Sequence, residues 1–101
     1  MDDVYYSHDI FGLEKVGEAY EADLSYEFNL FCVWKDASGQ LYWAHDSGCS
    51  CPSPFEDYTS VAMLDKGTVT QAHAALDAWH PKGNDETAAS VTDLHAKLAA
   101  L

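Results

Sequence analysis

Cys49-Ser50-Cys51 is the part of this chain best equipped to do chemistry. Two thiols one residue apart can reach a common ion, and His45 and Asp46 lie just upstream. Thiolate sulfur with imidazole nitrogen is a donor set that suits zinc. A structural zinc site wants four ligands at about 2.0–2.3 Å, usually from two separated pairs. Here there is one pair. Cys32 is the remaining thiol, and its place in a strand alternation points it into the core, while His8 could arrive from the N-terminal segment. The reading favoured is a tight loop shaped by Pro52 and Pro54, in which the cysteines behave as small apolar groups. No cofactor is then expected. The alternative is a small structural domain stabilised by zinc, with Cys49, Cys51 and His45 as candidate ligands. A Cys49–Cys51 disulfide would be strained at this spacing.

The same residues bear on nucleophilic catalysis, which needs a Cys or Ser beside a base that a third group orients. Cys49, His45 and Asp46 supply the types. On a continuing strand, however, the adjacent His45 and Asp46 point to opposite faces. The chain has no strand–turn–helix elbow and no Gly-rich phosphate loop, and its 101 residues leave little room for a pocket. It is read as a non-enzyme, with a thiol-dependent enzyme as the distant alternative. His73, His80 and His95 fall on predicted helices. His73 and His80 share a face, but a helical metal pair prefers i, i+4 spacing. All three are read as surface or boundary histidines.

The elements that must position these residues change character along the chain. Residues 13–20 read as a first strand and Glu21-Ala22-Asp23 as a turn. From Leu24, the even positions Leu24, Tyr26, Phe28, Leu30, Cys32 and Trp34 are apolar, a period of two that marks a strand. Phe31 and Val33 add a second buried face near its end. Asp36-Ala37-Ser38-Gly39 fits a type I turn, and Leu41-Tyr42-Trp43-Ala44 returns. Residues 1–45 thus form a β-meander half and 46–58 a Cys/Pro loop, followed by a helical half over 59–101. In that last part Thr68-Val69-Thr70-Gln71 is a capping box. Ala72, Ala75, Leu76 and Trp79 then share one helical face. Pro81 and Gly83 stop that helix, Asn84 or Asp85 caps a second, and Val91, Leu94, Leu98 and Leu101 form its stripe. The expected fold class is α+β: one domain, a small antiparallel meander, a Cys/Pro loop and a C-terminal helical pair.

Charge narrows the partners. Seventeen acids face five lysines, with no arginine, for a net charge of −12. Twelve of the acids and twelve of the thirteen aromatics lie in residues 1–58. Direct nucleic-acid binding needs clustered cations to displace counterions from phosphate, and an anionic membrane surface needs the same. Both are excluded as expectations. No apolar run approaches the length of a membrane span, and the Met1–Tyr6 stretch lacks the basic start of a signal peptide. A cytoplasmic protein is expected. The partner that suits it is a protein with a basic surface. Glu14, Glu18, Glu21, Asp23 and Glu27 are the candidate partner-binding residues. Same-face strand residues lie about 6.6 Å apart, so Glu14 with Glu18, and Glu21 with Asp23, would supply short rows of carboxylates.

Several stretches have distinctive wording: Phe11-Gly12-Leu13, Val33-Trp34-Lys35-Asp36, Gly39-Gln40-Leu41-Tyr42-Trp43, and the loop Asp46-Ser47-Gly48-Cys49-Ser50-Cys51-Pro52-Ser53-Pro54-Phe55-Glu56-Asp57. Over residues 10–58 the chain resembles small, uncharacterised acidic proteins of actinobacterial phages. The resemblance carries no activity and gives no residue a role. It implies expression in a bacterial cytoplasm, where small acidic phage proteins work by binding host proteins. A nucleic-acid-handling or defence factor would be one such target, inhibited or modulated by the contact.

Overall fold

Four consecutive β-branched, aromatic or sulfur side chains at Phe31-Cys32-Val33-Trp34 can form a strand only if both of its faces are covered, and the fold supplies both covers. The computed structural model describes residues 11–22, 27–49, 58, 60–79 and 85–101. Strands β1 (Leu13–Tyr20), β2 (Glu27–Asp36), β3 (Leu41–Cys49) and β4 (Asp65–Gly67) form one antiparallel sheet in the order β1-β2-β3-β4. Helices α1 (Val69–Trp79) and α2 (Asp85–Ala99) follow. The class is α+β, as the periodicity predicts.

β2 is an inner strand, and residues 31–34 are at most 1% exposed. Phe31 and Val33 face the helices, packing with Ala19, Leu41 and Trp43 against Ala72 and Leu76 of α1 and Val91, Leu94 and Leu98 of α2. Cys32 and Trp34 face the other way. There Leu13, Ala44 and Leu64 close over them, with Phe11, Tyr58 and Val61 packed alongside. Burial pushes the Cys32 thiol far above its ordinary range, so it is a core group rather than a nucleophile.

The links between elements follow from local chemistry. Asp36 turns β2 into β3: its Oδ1 accepts from the Ser38 hydroxyl and from the Ser38 and Gln40 amides, and Tyr42 donates to its Oδ2. These bonds, led by that of the Ser38 hydroxyl, hold the Asp36 carboxyl below its usual range, and the same carboxylate raises Tyr42. Gly39 takes φ +88°, a left-handed conformation that glycine adopts without strain. The capping box forms as its sequence requires, Thr68 N–H donating to Gln71 Oε1 at 2.8 Å and Gln71 N–H to Thr68 Oγ1 at 3.2 Å. On α2, the buried Thr87 and Ser90 hydroxyls accept from the Ala22 and Tyr20 amides, tying the helix to the end of edge strand β1. Gly17 admits the same helix, since a Cβ there would sit 3.0 Å from Lys97 and 3.1 Å from Leu94.

Several boundaries depart from the sequence reading. β3 runs on to Cys49, so the first four residues of the expected loop are strand, paired with β2 up to Glu27↔Cys49. A fourth strand, β4, occupies part of what reads as the helical half. It is three residues long, too short for a period of two to register. Phe28 and Leu30 are half-buried rather than central; they share the face of Cys32 and Trp34, opposite the helices, where Leu30 packs only at the margin of that cluster. Leu101 is 52% exposed because it lies beyond the end of α2. Asp23, Leu24, Tyr26, Pro81, Gly83 and Asn84 lie outside the described residues, while Asp85, the alternative cap, is the first residue of α2.

Leu94→Ala, at a fully buried site, should cost about 2–5 kcal/mol through lost burial and a cavity, and Phe28→Ala clearly less. Urea unfolding of the two variants checks the order.

Candidate functional site

The five candidate partner-binding acids are not gathered into one row. A β-bulge between Lys15 and Gly17 puts two consecutive residues on one side of β1. Glu14 therefore lies beside Lys35 on the helix side, whereas Glu18, across from Cys32, lies on the opposite face. The expected Glu14–Glu18 row does not exist, because the extra residue shifts the alternation. Each described acid side chain of this group also has a neighbour. Glu14 is 3.6 Å from the Lys35 ammonium and Glu18 is 2.9 Å from that of Lys15. Glu21 accepts from the Asn29 amide at 3.1 Å. Asp23 lies outside the described residues, and Glu27 opens β2.

The candidate metal ligands fare similarly. His45 and Cys49 are both on β3, four residues apart, which separates their Cα atoms by about 13 Å. Cys51 lies outside the described residues. Among those residues, no three His, Cys, Asp or Glu side chains converge on a common point. His45 and Asp46 alternate along a continuous strand, as the sequence requires, and so cannot act on one substrate atom as base and orienting group. Tyr58 donates to the His45 carbonyl at 3.4 Å. Burial, reinforced by Asp46 and Asp65, raises its phenol.

What the fold does bring together is an aromatic cleft of 240 Å3 between α1 and strands β2, β3 and β4. Phe31 and Trp43 form its floor, both almost fully buried. Trp79, Ala75 and Ala78 of α1 form one wall, and His45 and Asp65 stand on the strands opposite. Trp79 is fixed twice: its ring centroid lies 5.7 Å from that of Phe31, at 46°, and its indole N–H donates to Asn29 Oδ1 at 3.3 Å. Asp65 reaches the cleft because it pairs with Trp43, while the next residue, Lys66, pairs with Tyr42 and takes its charge to the other face. The aromatic alternation of β2 and β3 was visible in the sequence. Asp65 was not, since it depends on β4.

A second cluster joins the helices. His73 of α1 and His95 of α2 place their Nδ1 atoms 2.6 Å apart, with ring planes 9° apart and centroids 4.9 Å apart. The nitrogens meet edge to edge. His95 Nε2 is 2.9 Å from Asp77 Oδ1, so this nitrogen carries a proton that it donates to the carboxylate. In the neutral pair His95 Nδ1 is then the acceptor and His73 Nδ1–H the donor. Twenty-two residues separate the two histidines, a distance at which no helical spacing rule operates; His80, the partner weighed for His73, lies outside the described residues.

Fold and site together define a small α+β protein: an antiparallel meander backed by two helices, with a small aromatic cleft at one helix–sheet seam. The chain belongs to the family described as Domain of unknown function (DUF7574), whose model matches residues 2–100. No curated protein and no solved structure gives a significant match. Among the described residues, no helix is long and apolar enough to cross a membrane.

Two measurements check these placements. Long-range 1H–15N spectra should show His95 as the Nε2–H tautomer and His73 as the Nδ1–H tautomer at a pH where both are neutral; the reverse pair would contradict the hydrogen-bond chain. Elemental analysis of the purified protein should find no bound zinc, and the Cys49→Ser/Cys51→Ser double variant should remain folded.

Proposed function

We propose that this protein is a non-enzymatic binding module that engages a partner protein through complementary charge, its own surface being acidic and the partner's basic. The observation that carries this reading is the charge imbalance itself. Seventeen acids against five lysines and no arginine give −12 on 101 residues, and no acid whose side chain is described is buried. Such a surface attracts cationic proteins over distances of about a Debye length, roughly 8–10 Å at physiological salt. It repels nucleic acids and anionic membranes. The resemblance of residues 10–58 to small proteins of actinobacterial phages supports a host protein in a bacterial cytoplasm as the target. A nucleic-acid-handling or defence factor has the required basic surface.

Contact is assigned to the β1 side, where Glu14, Glu18 and Glu21 occupy the sheet edge. Because the bulge splits Glu14 from Glu18, a partner meeting both must wrap around that edge rather than lie flat on one face. Lys15 and Lys35, which neighbour these acids, are exchangeable counter-charges. The Glu14–Lys35 pair is solvent-accessible and the Lys15–Glu18 pair partly so; surface pairs are worth about 0–1 kcal/mol, so a cationic partner can displace them.

Association with a captured host protein, followed by stopped-flow or surface methods over a salt series, tests the reading. Glu18→Lys with Glu21→Lys should slow association and flatten its salt dependence while leaving thermal stability nearly unchanged. Equivalent reversals at Asp77 and Asp93 should have a smaller effect. Binding that ignores salt would defeat the proposal.

A further inference from the structure

We infer that the aromatic cleft between α1 and strands β3 and β4 is a receptor for one cationic side chain, a lysine or arginine presented by the basic partner. The inference rests on the binding role proposed above and adds a second, short-range contact remote from β1. Three features carry it. First, the cleft is lined by aromatic rings that do not need to move: Trp43 and Phe31 are set in the core, and Trp79 is held by Phe31 and by Asn29. Of the three, Trp79 is the part-exposed ring, and a ring face attracts a cation within about 6 Å, most strongly where water is excluded. Second, the charge at the cleft is negative. Asp65 lines it, no lysine does, and the strand alternation sends Lys66 to the opposite face.

Third, the size fits. A volume of 240 Å3 lies below the roughly 300–1,000 Å3 that hold drug-sized ligands, so the cleft suits one extended side chain. The apolar stem of lysine or arginine would run along Ala75, Ala78 and Trp79 while its charged head meets Asp65. A neutral aliphatic side chain would leave the Asp65 carboxylate without a counter-charge, and an acidic one would be repelled by it. His45 also lines the cleft.

The probe is an acetylated oligolysine amide, with oligoarginine and oligoserine amides in parallel, titrated into the intact protein and followed by 1H–15N correlation spectra. Oligolysine or oligoarginine should shift the indole N–H signals of Trp43 and Trp79 and the amide of Asp65, and oligoserine should not. Two surface variants challenge the site without removing a core ring: Asp65→Asn takes away the charge, and Ala78→Leu fills the cleft. Each should weaken cationic-peptide binding roughly three- to thirty-fold, whereas Glu14→Gln/Glu18→Gln/Glu21→Gln should leave the indole shifts in place. Shifts confined to other residues, equal shifts with oligoserine, or unchanged affinity in both cleft variants would each overturn the inference. The two readings separate cleanly. If the triple variant alone abolishes peptide binding, the β1 contact stands and the cleft falls. If the cleft variants weaken binding while the β1 charge reversals leave partner association untouched, the cleft stands and the β1 assignment falls.

Discussion

The burial of β2 on both sides is the constraint from which the rest of the molecule follows. A strand whose consecutive residues Phe31, Cys32, Val33 and Trp34 are all removed from water cannot lie on a one-sided sheet. One side takes the two helices. The other takes Leu64, with Val61, Tyr58 and Phe11, a cover that includes the short 3-10 turn Val61–Met63. Tyr58, Val61 and Leu64, between β3 and α1, therefore have a structural task beyond connection: they help cover the sheet face that α1 and α2 do not reach. Each fully buried apolar side chain there contributes on the order of 1.5–3 kcal/mol relative to exposure, so neither cover is dispensable in a domain this small.

The same constraint decides where chemistry can occur. Cys32 is a thiol inside a dry core, its ionisation opposed by burial, and is lost to catalysis. On the helix side α2 packs closely on β1 at Gly17, whereas small side chains at Ala75 and Ala78 of α1 leave a cleft beside the half-buried Trp79, above the buried Phe31 and Trp43. The cleft is thus a by-product of covering a wide sheet with two helices of unequal length. Function can use that space without disturbing the core beneath it.

Most of the frame was legible in the chain because it rests on short-range rules. β1 over 13–20, the Asp36–Gly39 turn, the capping box at Thr68 and the α1 stripe all depend on neighbours within a few residues. The features that escaped depend on pairing across the sequence. β4 is a strand only because β3 lies beside it. The bulge at Val16 has no composition signature, yet it moves Glu18 to the opposite face from Glu14. The contact of His73 with His95, and the arrival of Asp65 beside Trp43, are consequences of packing between elements that periodicity describes one at a time. Charge, by contrast, was fully visible, but charge gives the sign of a partner and not the place where it docks.

The capping box also joins two elements in a way that bears on motion. Thr68, the residue whose hydroxyl and amide start α1, directly follows the last residue of β4, and Gly67 lies so close to Gln71 and to the Trp43 ring that a Cβ has no room there. Gln40 donates to the Gly67 carbonyl at 2.9 Å from the neighbouring turn. Release of the sheet's outer strand would pull Gln71 off Thr68 and fray the first helical turn with it. The edge strand and the helix start are therefore coupled, and matched amide hydrogen-exchange protection is the expected result. Because Asp65 sits on that strand, the lip of the cleft shares that coupling, while its aromatic floor on β2 and β3 exchanges only with the core.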